Sequence, residues 1–193
     1  AEHHRELNLQ GVYVLPGAVD ICPVTREWDR PDIETIKSLQ LAAAKGGYTQ
    51  ILLASGVTTI DSEEQILAIK DKLRSDLVEF HIAASMTKNA AGKSIANFCE
   101  LSEVGASAFT DFSVANGNAS LIVTALNYLK MLNKPLIVKP SDASLTENGQ
   151  MNESDLSLKL GLKGIPVLAE ELEVMRDIKI AETLQASIHF THI

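Results

Sequence analysis

Cysteine is scarce in this sequence: Cys22 and Cys99 are the only two in 193 residues. At most one bridge can form, which excludes a secreted disulfide scaffold, and both thiols are expected reduced and buried. Basic tracts are missing too. With 17 Lys and Arg against 25 Asp and Glu, a net charge of -8 and no Lys/Arg-rich run, there is no electrostatic footprint for a phosphate backbone, so nucleic-acid binding is not expected. Apolar stretches are strand-length, short of the roughly 20 residues a membrane helix needs, and the first residues do not join a basic segment to an apolar one. A cytoplasmic protein without membrane contact is expected. Neither Gly-x-Gly-x-x-Gly after the first strand nor Gly-x-x-x-x-Gly-Lys-Ser/Thr anywhere is present, which removes the main support for a nucleotide-binding open sheet. Internal repeats and low-complexity tracts are absent as well.

What is present is a chain 46% hydrophobic, enough for one sizeable core and one domain over residues 1–193. Its apolar segments alternate in type. Tyr13 to Ile21 reads as a buried strand despite Pro16-Gly17, followed by a helix capped by Asp32 that ends at Gly46-Gly47. Tyr48 to Ala54 is the second strand, and Ser62 caps a helix to about Leu73. Leu77–Ala84, Ala106–Phe112, Pro135–Val138 and Ala186–Ile193 read as strands; Lys93–Val104, Ala119–Leu132 and Val167–Leu184 read as helices. A polar loop from Ser141 to Glu153 and a short helical segment precede Gly164-Ile165-Pro166. Strands that are apolar throughout, alternating with helices, predict an α/β fold with a parallel sheet under helices. A (β/α)8 TIM barrel is favoured. About six βα units are present, too few to close eight strands, so the domain is expected to be incomplete at its C-terminus.

In such a barrel the chemistry sits at the C-terminal strand ends, and there the sequence becomes recognisable. Val14 to Ile21, followed by Thr25-Arg26-Glu27, resembles the opening shared by amidohydrolases, in which a proline-glycine strand runs into Asp-x-His-x-His. The blocks Gly149-Gln150-Met151-Asn152-Glu153, Lys159 to Pro166, Ala169-Glu170-Glu171 and Arg176-Asp177-Ile178 resemble class I dihydroorotase specifically. The resemblance runs from about Gly11 to the last residue and implies an amidohydrolase-type barrel belonging to pyrimidine biosynthesis.

It also implies a metal centre whose positions this sequence fills differently. The two histidines of the first strand fall on Cys22 and Val24, the bridging carboxylate or lysine of the fourth on Phe112, and the histidine of the fifth on Lys139. Valine and phenylalanine have no donor, and an ammonium repels a cation. Asp111, next to Phe112, is expected to face the other way because strand side chains alternate. His192 alone keeps a ligand type, as a vestigial metal candidate, whereas a catalytic zinc takes at least three protein ligands. The family's substrate-binding arginine is retained as Arg26, whose planar fork suits a carboxylate and equally suits an ion pair with Glu27 or Asp29; the family's substrate asparagine is replaced by Ser55. His3, His4 and His81 carry no ligand spacing.

Three expectations follow. The first is a dihydroorotase-like protein without catalytic residues, cofactor or metal, acting structurally or as a regulator, with the catalytic subunit of aspartate carbamoyltransferase as partner and self-association into a homo-oligomer. The second is an active zinc-dependent dihydroorotase with an atypical site drawn from Cys22, His189, His192 and Asp142. The third is a binder of a small anionic metabolite on Arg26 and Lys139.

Overall fold

The computed structural model describes residues 8–193 apart from 22, 24, 55–58, 75, 76 and 112–116. Expectations for His3, His4, Cys22, Val24, Ser55 and Phe112 therefore lie outside the described residues.

The chain forms a parallel sheet of β1 (Ala18–Ile21), β2 (Tyr48–Ala54), β3 (Glu79–Ala84), β4 (Ala106–Thr110), β5 (Leu136–Val138) and β8 (Ile188–Phe190), in the spatial order β1-β2-β3-β4-β5-β8. Each of the five neighbouring pairs is parallel. The crossovers carry α1 (Ile36–Lys45), α2 (Glu63–Lys72), α3 (Phe98–Glu103), α4 (Ala119–Leu132) and α7 (Leu168–Leu184). Sequential parallel strands joined through helices give the α/β half-barrel that the apolar strand runs predicted. Between β5 and α7 lies a small unit: α5 (Ala143–Thr146), then β6 (Met151–Asn152), α6 (Asp155–Leu160) and β7 (Gly164–Ile165), with β6 and β7 paired. Gly164 permits that pairing, since a Cβ there would lie 2.6 Å from the Glu153 Cα.

Strand alternation sorts the side chains onto two faces. Ile51, Leu53, Ile82, Phe109, Leu136 and Val138 point to the helices and join Ile66, Leu101, Ile122, Leu126 and Leu129 in the main core. Phe98 meets Phe109 edge to face, with centroids 4.8 Å apart. On the opposite face, among the described residues, Ala54, Ala83, Ala108 and Ile137 are buried together, with Leu52 against them.

Several boundaries differ from the sequence-based expectation, each for a local reason. The first strand begins at Ala18, and Tyr13, Val14 and Leu15 are exposed; Pro16 has no amide to give a ladder. Asp32 pairs with Arg30 instead of capping α1. The cap is Thr35, which exchanges hydrogen bonds with Ser38. α3 starts at Phe98 and not Lys93, because a bridge between Thr87 and Ile95 holds the preceding segment and Asn97 is the cap. β8 ends at Phe190, and His192 turns out of the strand with φ 60. Cys99, expected to be buried, is exposed on α3, whose inward positions are taken by Phe98 and Leu101. No helix among the described residues is long and apolar enough to cross a membrane.

Candidate functional site

The C-terminal ends of the strands form the face where a barrel places its chemistry. After β1 the chain turns through residues 27–29, and Arg26 spends its guanidinium locally. Nε donates to Asp29 Oδ1 at 2.9 Å, while Nη2 closes a second short contact to Oδ2. This is the ion pair that the sequence left open. Its neighbour Glu27 accepts from the Ile36 amide at 2.9 Å and meets Lys72 at 3.4 Å, tying the β1 loop to α1 and α2.

At the end of β4, Asp111 is buried on the side facing the helices, as alternation from Phe109 requires. It accepts the Thr87 amide at 3.0 Å and the Thr87 hydroxyl. Burial raises its pKa, and these hydrogen bonds from Thr87 oppose the rise without cancelling it.

α7 brings a further set of charges. Glu173 and Asp177 are almost fully buried, at 3% and 1% exposure. Arg176 sits between them: Nε donates to Asp177 Oδ1 at 2.8 Å, and Nη1 lies 3.4 Å from Glu173 Oε1 and donates to the Gly117 carbonyl at 3.1 Å. Burial disfavours the Arg176 charge, but Asp177 and Glu173 outweigh it and its pKa is raised. Glu173 also accepts the Ser141 amide at 2.8 Å. One network thus joins α7 to the chain following β4 and to the chain following β5. A void of about 10 Å³ lies beside it, walled by Asp111, Lys139, Glu173 and Asp177 among others, about the smallest space that admits one water.

Lys139 also opens onto a larger cleft. Of about 450 Å³, it is lined by Lys139 and Ser141 after β5, Thr146 on α5, Asn152 on β6, Ile165 and Pro166 by β7, Glu170 on α7, and His192 after β8. The structure therefore unites Lys139 with His192 and leaves Arg26 out of that lining. His189 lines a different cavity, on the open face of the sheet with His81, Leu52 and Ile137. Asp142 is occupied as the cap of α5, accepting the Ser144 amide at 2.8 Å and hydroxyl at 2.5 Å; these bonds lower its pKa. His189, His192 and Asp142 thus do not form the site that the atypical-enzyme expectation needs. Among the described residues, no three His, Cys, Asp or Glu side chains gather as a metal-binding group. The donor set of this cleft, one imidazole and one carboxylate beside an ammonium, does not fit a divalent cation.

Sequence reasoning missed Thr146, Asn152 and Glu170 as cleft residues. Asn152 and Glu170 belong to the recognised blocks, but Asn152 reaches the cleft on β6, paired with β7, and Glu170 in the first turn of α7.

Comparison with known proteins agrees with this architecture. The sequence model of the Dihydro-orotase-like family matches residues 11–193. A dihydroorotase of Syntrophus aciditrophicus is 36% identical over 194 residues, covering 100% of this chain and 46% of that protein. One from Pelotomaculum thermopropionicum is 34% identical, covering 97% of this chain and 44% of its own length. The chain thus spans about half the length of the curated relatives it matches. Among solved structures, the L-hydantoinase of Arthrobacter aurescens superposes with a TM-score of 0.71 at 16% identity, over 100% of this chain and 45% of that one. A D-hydantoinase gives 0.67 at 16% identity, over 92% and 41%. The fold is thus that of the TIM-barrel amidohydrolases, and with its match from residue 11 to residue 193 the chain belongs to the dihydroorotase-like family.

Proposed function

We propose that this chain is a dihydroorotase-like component of cytoplasmic pyrimidine biosynthesis that has no hydrolytic turnover of its own and acts structurally or as a regulator. The carrying observation is that Lys139, at the end of β5, lines the same cleft as His192 at the end of β8. An ammonium there opposes the metal ion that would make a water acidic enough to attack an amide near neutral pH. In this reading the partner is the catalytic subunit of aspartate carbamoyltransferase, and the chain also self-associates.

The test is the metal content of the purified protein together with a dihydroorotase assay on the same sample with added zinc. We expect near-zero metal and no turnover. About one tightly held ion per chain with chelator-sensitive turnover would sink the reading. It would favour the alternative, an active cyclic amidohydrolase, which is supported by the name dihydroorotase that the curated relatives carry. Co-elution with the carbamoyltransferase subunit tests the partner, and separate migration at micromolar concentration counts against it.

A further inference from the structure

The helix α7 is amphipathic in the reverse sense. A surface helix ordinarily turns its apolar stripe inward and its charges to water. On α7 the buried positions are Ala169, Glu173, Asp177 and Ala181, with Ile180 and Leu184 packed on the core towards its end. The outward face carries Leu172, Met175 and Ile178, exposed by 41%, 57% and 42%. Spaced three apart, they form one stripe opposite the buried carboxylates. Apolar surface gathered in this way marks an interaction site.

The charge pattern of that stripe specifies its occupant. It is symmetric about Met175: Leu172 and Ile178 lie three residues to either side, and the exposed Glu171 and Lys179 lie four to either side with opposite signs. A parallel pairing of two such helices would set like charges together. An antiparallel two-fold pairing brings Glu171 of each copy level with Lys179 of the other, at both ends at once, and opposes the two helix dipoles. The row Glu171–Met175–Lys179 is an i±4 ridge, and two ridges of this kind interlock at about −50°, the commonest helix crossing. At that angle the rows run side by side in opposite directions, Met175 meets its counterpart at the two-fold axis, and Leu172 and Ile178 close the flanks. Lys179 now pairs with Glu182 at 3.3 Å, with side chains 78% and 62% exposed, a surface contact weak enough to exchange. We propose that α7 is the self-association surface of this chain, docking antiparallel on α7 of a second copy through Met175. This rests on the preceding reading only in its self-association and is independent of turnover.

The experiment is sedimentation velocity on the full chain across about 1–200 µM, where so small an interface should give a dimer with a dissociation constant on the order of 10 µM. Met175→Glu sets two carboxylates at the two-fold axis and should weaken the dimer at least about tenfold. Glu171→Lys and Lys179→Glu should each weaken it about threefold or more. An equimolar mixture of those two variants should associate as the wild type does, because one copy then offers two cations to two carboxylates of the other. All three positions face water in the single chain, and matching circular dichroism and thermal melts show that each variant folds. A wild type that stays monomeric over the whole range overturns the proposal. A dimer indifferent to Met175→Glu and to both reversals removes α7 as the surface while leaving self-association standing, and failure of the mixture to associate overturns the antiparallel pairing. A monomer that binds the carbamoyltransferase subunit, and loses it with Met175→Glu, assigns the stripe to that partner and overturns the second copy.

Discussion

The two faces of the sheet teach different things. On the helix side, Leu53 is completely buried in a continuous core; its neighbour Leu52 points to the other face, where among the described residues four small or medium ones are buried together. The strand ends differ again: beside them α7 sets buried carboxylates held by an arginine. Cohesion therefore resides between sheet and helices, and charged and polar groups gather where the strands stop.

The most direct way to break that division is to cut into each part. Phe109→Ala empties a fully buried site against Phe98 and should cost about 3–5 kcal/mol in urea unfolding. Arg176→Ala should cost about 3 kcal/mol, because Glu173 and Asp177 would be left buried without their cation. A much smaller loss would mean that the network relaxes into water. Leu53→Ala is expected to cost about 2–5 kcal/mol and Leu52→Ala about 1 kcal/mol or less, a contrast between adjacent residues that comes from face alone. Equal losses would show that the open face is covered in solution.

The Asp111→Asn variant sharpens the comparison through pH. Burial raises the folded-state pKa of Asp111 above its ordinary value, so its contribution is fully present below about pH 3.9 and is lost as the pH rises through the raised value. Relative to the variant, the wild type should be most stable in acid and should lose ground towards neutral pH in parallel thermal melts. A difference independent of pH would contradict this. The smallest effect is expected at Arg26→Ala, whose surface pair with Asp29 contributes about 0.2–1 kcal/mol.

Much of this could be read from residue order. The apolar runs at Tyr48–Ala54 and Leu136–Val138 give parallel strands because buried strands need no polar face. Ser62 announces α2 because a hydroxyl at that spacing satisfies orphan amides, and Gln65 completes the box. The misplaced boundaries at Asp32 and Lys93 arise where the Asp32 carboxylate found a competing partner in Arg30 and where a backbone bridge between Thr87 and Ile95 holds the chain before α3.

By itself the sequence determined the alternation of strands and helices, the face of Asp111, and the presence of a cation on the fifth strand where the family resemblance implies a metal ligand. These follow from local periodicity and residue chemistry. Only the tertiary structure decided that Arg26 turns to Asp29, that Lys139 shares a cleft with His192, Asn152 and Glu170, and that His189 lies elsewhere. The Arg26 pair is a local choice between neighbouring carboxylates, whereas the cleft depends on the chain crossing from β5 through β6 and β7 before returning at β8, a path that brings Lys139 to His192, 53 positions away, where no local pattern encodes their meeting.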